Sequence, residues 1–545
     1  MSRSEDGAAG GVWLVVAAVV LSLPSLVIVG WIPTVGVATA EGPADGLGDV
    51  EIDDELEDAF AGTHGDDERV EVVVRLEELE GPTDREELEE HAAGSQEPVL
   101  ELAEDCEGIT VAAEFWLTNA VLLEVDPDAV GLEELTELEA VDGLHGNFEV
   151  PSPDPVGTLA ADGGEAETDS GHVTTAGLAA IGAPTVWDEH GTAGEGVRVA
   201  VLDTGVDADH PDITLHTDDP GDPTYPGGWA EFDGTGEPVA GSTPRDTASH
   251  GTHVSGTVAG GAASGRHVGV APEAELAHGL VLTEDGGTFA QILAGMEWAV
   301  ETDSDVISAS FGVEGTVGAF LDPVHNARAE GVTVVGAIGN AGAGNSSSPG
   351  NLHDVVSVGA VGDDDRVPEF SGGGELERTS FAGAPGDWPE TYVVPDVVAP
   401  GVDVVSSVPG GEYGVKPGTS MATPHVSGTV ALMLSIDDGL TPEEVEATLA
   451  ETARSPVGAS EGKDVRYGHG VVDAAAAVGA TESARTSSAD TDAQASRDDA
   501  ADGDATDGAA DGDVGPATDG SPLHGAVATA AALVVVTLWL AVRRR

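Results

Sequence analysis

From about residue 179 to 480, short Val- and Ile-rich runs alternate with longer apolar stretches. The short runs are "VRVAVLD", "DVISASFG", "GVTVVGAIGN" and "DVVSVGAVG"; between them stand "FAQILAGMEWAV" and "DPVHNARAEG". Continuous apolar strands separated by helical stretches predict parallel βαβ units, with a sheet covered on both faces. An earlier region, about 47–150, has a different rhythm. Strand-like "VEVVVRL" (Val70 to Leu76) precedes helix-like "DREELEEHA" (Asp84 to Ala92); strand-like "NAVLLEV" (Asn119 to Val125), helix-like "AVGLEELTEL" and the closing "HGNFEV" follow. Two strand-helix-strand units of this size predict a small α+β sandwich. The expected fold class is therefore α/β, a parallel β-sheet flanked by helices, preceded by a small α+β domain.

The ends of the chain carry a different pattern. "GVWLVVAAVVLSLPSLVIVG" (Gly11 to Gly30) is continuously apolar, follows Arg3, and leads to Ala38-Thr39-Ala40, a small-residue cleavage pattern. "GAVATAAALVVVTLWLAV" (Gly525 to Val542) is uncharged and ends on Arg543, Arg544 and Arg545; it is expected to span a membrane with its basic end on the cytoplasmic side. Between them, about 482–520 is a tract of Ser, Thr, Ala, Gly and Asp without aromatics, which cannot bury enough surface to fold. The division expected is a signal peptide at 1–40, the small α+β domain at 41–150 and a connector at 151–178. The main domain follows at 179–480, then an acidic stalk at 481–523 and an anchor at 524–545. The catalytic region would then stand outside the cell, tethered by its C-terminal helix.

Composition sharpens this. The chain of 545 residues holds 100 Asp plus Glu against 19 Lys plus Arg, a formal charge of −81. Phosphate would be repelled, so nucleic acid is excluded as a general partner. A folded chain so charged also repels itself unless salt screens it, the Debye length being about 3 Å at 1 M; the composition points to adaptation to high salt. Cys106 is alone, so no internal disulfide forms. Asn345-Ser346-Ser347 is a glycosylation acceptor pattern, compatible with an exterior location.

Candidate chemistry gathers at strand ends and before helices. "KPGTSMATPHVSG" sets Ser420 after a Gly and a Thr, at the start of an apolar helical run, where backbone N–H groups favour developing negative charge. Asp203 follows "VRVAVL" at a strand end, where a carboxylate can orient an imidazole. His250 stands in "SHGTHVSGTVAG", with Ser249 placed to cap the helix; His253 lies three residues on, and His425 falls inside the Ser420 helix. Asn340 closes "GVTVVGAIGN", where a carboxamide can donate to an oxyanion.

Asp203, His250 and Ser420 occur in the order Asp, His, Ser, inside "VAVLDTGVD", "HGTHVSG" and "GTSMATPHVSG". By these motifs the region 179–480 resembles the subtilisin-like serine peptidases, the subtilase family. The resemblance implies a serine endopeptidase: Ser420 as nucleophile, His250 as general base and acid, Asp203 as orienting carboxylate, and Asn340 with the Ser420 N–H as oxyanion hole. It implies that "SASFG" and "EDGGT" pair with substrate backbone, which puts Ser310, Gly312 and Gly286 at the substrate. The region 41–150 resembles the subtilase propeptide, an intramolecular inhibitor removed by self-processing. Protein or peptide substrates, the chain's own propeptide and the membrane are the implied partners. No cofactor is required for this chemistry and no metal site is assigned. Asp212 in "HPDI" matches a calcium ligand of many relatives, yet the loop 259–269 has Ala263 and no carboxamide where a side-chain ligand is expected. An acidic, Gly-rich insertion, 216–241, separates the Asp and His motifs. Two alternatives stand beside this reading. One is a catalytically inactive protein that keeps the fold for surface binding; the intact triad and Asn340 argue against it. The other is a metal-dependent hydrolase using His250 and His253; the H-E-x-x-H pattern is absent.

Overall fold

The buried β-branched runs pair into one parallel sheet. In the computed structural model, residues 50–62, 69–79, 81, 84–153, 165–167, 171–217, 228–456 and 462–487 are described. Seven strands lie in the order Trp229–Glu231, Glu275–Leu280, Arg198–Asp203, Val306–Ala309, Thr333–Ala337, Val356–Val361 and Val397–Pro400, and each neighbouring pair is parallel. Val306–Ala309, Thr333–Ala337 and Val356–Val361 are buried at every position, which is why they read as unbroken apolar runs. Along Arg198–Asp203, Val199 and Val201 join a core cluster with Val426 and Val430 of the helix Thr419–Ile436. Ala200 and Leu202 join another with Ile292 and Met296 of the helix Phe289–Glu301. The period-two alternation of a strand sends its side chains to opposite faces, and helices cover both.

The two covering helices differ in how they are specified. Phe289–Glu301 begins with a capping box, in which Thr288 and Gln291 exchange side chain and backbone hydrogen bonds. Thr419–Ile436 is buried on all sides from Thr419 to Leu434, and its polar side chains turn back on its own backbone, Thr423 Oγ1 donating to the Thr419 carbonyl and Thr429 Oγ1 to the His425 carbonyl. The insertion has a structural use: Trp229–Glu231 is the edge strand beside Glu275–Leu280, tied down by an Arg245–Glu231 ion pair.

The region before residue 151 forms its own five-stranded sheet, in the order Glu51–Ile52, Val141–Gly146, Val70–Leu76, Ala120–Val125, Ile109–Phe115. The helices Asp54–Ala61, Arg85–Ser95, Glu97–Asp105 and Leu132–Thr136 connect its strands. Ile109–Phe115 escaped the sequence pattern because its buried positions are irregular, broken by a register shift between Val111 and Ala113. This sheet does not stand apart. Phe115, Leu117, Leu122 and Val150 share one buried apolar cluster with Phe289, Met296 and Phe320.

The expectation of a membrane-anchored enzyme is corrected. Among the described residues no helix is long and apolar enough to cross a membrane. The segments expected at the membrane, 11–30 and 525–542, and the stalk from residue 488 onward lie outside the described residues, so membrane attachment is dropped from the account of the protein.

Candidate active site

Parallel strands bring their carboxyl ends to one edge of a sheet. Three adjacent strands here deliver Asp203 as the last residue of its strand, Ser310 just after Val306–Ala309, and Asn340 just beyond Thr333–Ala337. The helix His250–Ala259 and the Ser420 helix pack against each other and against the Asp203 strand.

His250 Nδ1 lies 2.8 and 3.0 Å from the two carboxylate oxygens of Asp203. An ionised carboxylate only accepts, so Nδ1 carries a hydrogen, and in the neutral form of the ring the lone pair falls to Nε2. Asp203 is fully buried. Burial alone would raise its pKa, but the His250 charge and hydrogen bond, with the Thr204 N–H at 2.7 Å, hold it below the ordinary carboxylate range.

The His250 helix starts under unusual control. Ser249, expected to cap it, is in the left-handed region at φ 60° and makes no cap hydrogen bond. Asp246 and Thr204 cap the helix instead: Asp246 Oδ2 accepts the Thr252 N–H at 2.8 Å, and Thr204 Oγ1 accepts the Gly251 N–H at 2.9 Å. Asp246 also takes the N–H groups of Ala248 and Ser249, so it sets the turn that aims His250. The spacing of a short acid four residues before His250 was the only sequence signal for this role. Ser249 Oγ is free to accept from Lys416 Nζ, at 3.1 Å.

Ser420 is the second residue of its helix. Gly418 precedes it at φ 145°, ψ 160°, a conformation essentially closed to residues with a Cβ. Pro424, four residues after Ser420, has no N–H, so the Ser420 carbonyl loses its helical partner. Ser310 supplies the replacement, its hydroxyl donating to the Ser420 oxygen at 2.9 Å. On the other side, Asn340 Oδ1 accepts the Thr419 N–H at 2.9 Å and the Thr419 hydroxyl at 3.1 Å. That turns Nδ2 away as a donor, while the first N–H groups of the helix have no intrahelical acceptor. Ser420 is 5% and His250 4% exposed, so each is largely screened from bulk water.

Gly286, at φ +102°, approaches so closely that a Cβ there would meet the Val150 carbonyl at 2.6 Å. Next to it, Gly287–Thr288 pairs antiparallel with Glu149–Val150, and the Phe289 N–H donates to the Phe148 carbonyl at 3.0 Å. The chain's own residues 148–150 thus lie as an added strand on this edge. Gly312 is pressed against Ser347, where a Cβ would approach to 2.9 Å.

Two neighbouring histidines each donate through one ring nitrogen to a backbone carbonyl. His253 Nε2 sits 3.0 Å from the Val404 carbonyl and His425 Nδ1 2.8 Å from the Met421 carbonyl; burial pushes them down to about 3 and about 4. At Asp212, one carboxylate oxygen accepts the Ala263 N–H and the other the Tyr413 hydroxyl.

Comparison with known proteins agrees with this geometry. The Subtilase family model matches residues 194–470. The chain is 37% identical over 313 residues to an intracellular serine protease of Paenibacillus polymyxa, covering 53% of this chain and 84% of that protein. It is 36% identical over 307 residues to subtilisin E of Bacillus subtilis, covering 55% and 70%. An alkaline protease of Shouchella clausii is 34% identical over 390 residues, covering 70% and 89%. With parallel sheet, motifs and relatives in agreement, the chain belongs to the subtilase family and is a serine endopeptidase.

Proposed function

We propose that Ser420, His250 and Asp203 hydrolyse peptide bonds through an acyl-enzyme, with Asn340 as an oxyanion donor. The observation that carries this is the His250 Nδ1 bond to Asp203, which leaves Nε2 as the basic nitrogen. In the first half-reaction Nε2 takes the Ser420 proton as Oγ attacks the carbonyl carbon. Asn340 Nδ2 and the Ser420 N–H then bind the oxyanion. The imidazolium gives its proton to the leaving amine, and water, activated by the same nitrogen, releases the acid. No step calls for a metal or cofactor. Asn340→Leu tests the oxyanion role. Its kcat is expected to fall about 10²–10³-fold with little change in KM; a loss confined to KM would assign Asn340 to ground-state binding.

We infer that the region 41–150 is an inhibitory propeptide, joined by the connector 151–178 to the peptidase domain 179–480. Two features support this reading: the Phe148 to Val150 strand on the Gly287–Thr288 edge, and the shared apolar cluster. The contact also buries charge. Glu297 Oε1 accepts the Leu117 N–H at 2.8 Å, and Asn326 Nδ2 donates to the Leu117 carbonyl at 2.7 Å and to Glu78 at 3.3 Å. Burial pushes both Glu297 and Glu78 up to about 8 from 4.5. Their docked forms hold protons that the separated forms release, so docking is strongest at low pH and weakens as pH rises toward 8. His145 opposes them. Buried beside Phe148 and Phe289, it is pushed down to about 4 from 6.5, which weakens docking as pH falls through that window. Two carboxyls outweigh one imidazole. Release of the region by limited proteolysis is therefore expected to speed up as pH rises from 4.5 to about 8, most steeply above 6.5 where His145 no longer opposes it, and Glu297→Gln to blunt that change. A pH-independent release would contradict the interface account.

A further inference from the structure

The chain has two lysines, Lys416 and Lys463. Lys463 has a carboxylate, Asp396 Oδ1 at 2.5 Å. Lys416, the last residue of the strand Glu412–Lys416, is only 9% exposed, and its ammonium donates to Ser249 Oγ at 3.1 Å. Among the described residues it forms no ion pair. The acids nearest in effect are Asp246 and Asp203, which act on it through their fields while burial lowers its pKa. Both are already committed. Asp246 accepts from Thr204, Ala248, Ser249 and Thr252, and Asp203 from His250 and Thr204. His253, also close enough to feel the charge, is held neutral. A part-buried ammonium without a counter-ion is costly, and in a chain of charge −81 the want of one is not for lack of acids.

Its position says what would complete it. In the proposed mechanism, on which this inference rests, His250 hands its proton to the leaving amine, so the departing peptide lies on the imidazole side of Ser420. Ser249 directly precedes His250, and Lys416 is held on Ser249. We propose that the Lys416 ammonium, held at Ser249 beside His250, binds the carboxylate of an Asp or Glu side chain within the first two residues after the scissile bond. The enzyme is then selective for acidic leaving segments. The long-range field of the protein opposes such substrates, but salt screens that field over a few ångströms while a direct contact survives.

Paired fluorogenic peptides test this, identical on the acyl side and carrying Glu or Gln at the first or second leaving-side position. For the unaltered enzyme, kcat/KM is expected to favour Glu about tenfold at one of these positions. Lys416→Met should bring the ratio near one, Lys416→Glu should invert it, and Lys416→Arg should retain most of it. A structural role for Lys416 alone would lower both rates and leave the ratio. Equal cleavage of Glu and Gln peptides, or a ratio that survives Lys416→Met, would overturn the proposal while leaving the Ser420 assignment intact. So would a preference for a free terminal carboxylate over the side chain. If the unaltered enzyme cleaves neither peptide nor any other, the Ser420 assignment itself falls, and this inference with it.

Discussion

Ser420→Ala is expected to lower peptide turnover by about 10⁶-fold and to leave the chain at precursor length. The substitution removes one hydroxyl from the second position of a helix, where Ala is well tolerated. The Ser310 bond goes to the Ser420 carbonyl, not its side chain, so the backbone that presents the oxyanion donors is unchanged. His250 then has nothing to activate, and the donors alone give only residual catalysis. The same hydroxyl would have to attack the junction between Asn147 and about His172 for self-processing. The variant should therefore accumulate with its N-terminal domain covalently attached, folded, and seated through Phe148 to Val150 on the Gly287–Thr288 edge. Size on a denaturing gel and mass spectrometry of the N-terminus read the result. Normal processing in a host lacking other proteases that cut the junction would refute self-cleavage while leaving the hydrolytic role of Ser420 to stand.

Asp203→Asn should cost about 10⁴-fold in kcat with the fold intact. The Thr204 N–H donates to Asp203 Oδ1 at 2.7 Å, which fixes how a carboxamide would sit. Its oxygen keeps the Thr204 bond at the Oδ1 position, 2.8 Å from His250 Nδ1, and its NH₂ takes the Oδ2 position at 3.0 Å, so Nδ1 loses one of its two acceptors and the negative charge behind them. The NH₂ beside Nδ1 favours the other tautomer, with the hydrogen on Nε2, and in that form the nitrogen cannot take the Ser420 proton. Because the nucleophile remains, maturation should be slowed but not abolished, giving a mixture of precursor and processed chain. Steady-state kinetics and the same gel measure both effects. A loss as small as tenfold would mean that Asp203 does not set the tautomer.

The parallel strands were legible because buried β-branched runs have few other uses. "VRVAVLD" matched its strand, Arg198–Asp203, almost residue for residue. Asp203, His250 and Ser420 stood out because each is embedded in glycines and small residues that permit close packing. What stayed hidden is the set of contacts made across the fold. The Ser310 bond to the Ser420 carbonyl follows from Pro424, but the missing N–H does not say which hydroxyl will fill its place. The Lys416 bond to Ser249 spans 167 positions, and no local pattern encodes it. Ser249 looked like a helix cap by residue type, yet its left-handed backbone turns its side chain elsewhere and leaves capping to Asp246. Glu78 and Glu297 carry no local signal either; their desolvation comes from contacts across the fold, with Asn326 and Leu117.

The central claim is that Ser420 is the nucleophile of an Asp203–His250–Ser420 triad. Labelling the processed enzyme with a fluorophosphonate, followed by peptide mapping, tests it most directly. One stoichiometric adduct is expected, on Ser420, that vanishes in Ser420→Ala and forms far more slowly in Asp203→Asn. Peptide hydrolysis with no adduct on Ser420, or an adduct on another serine, would contradict it.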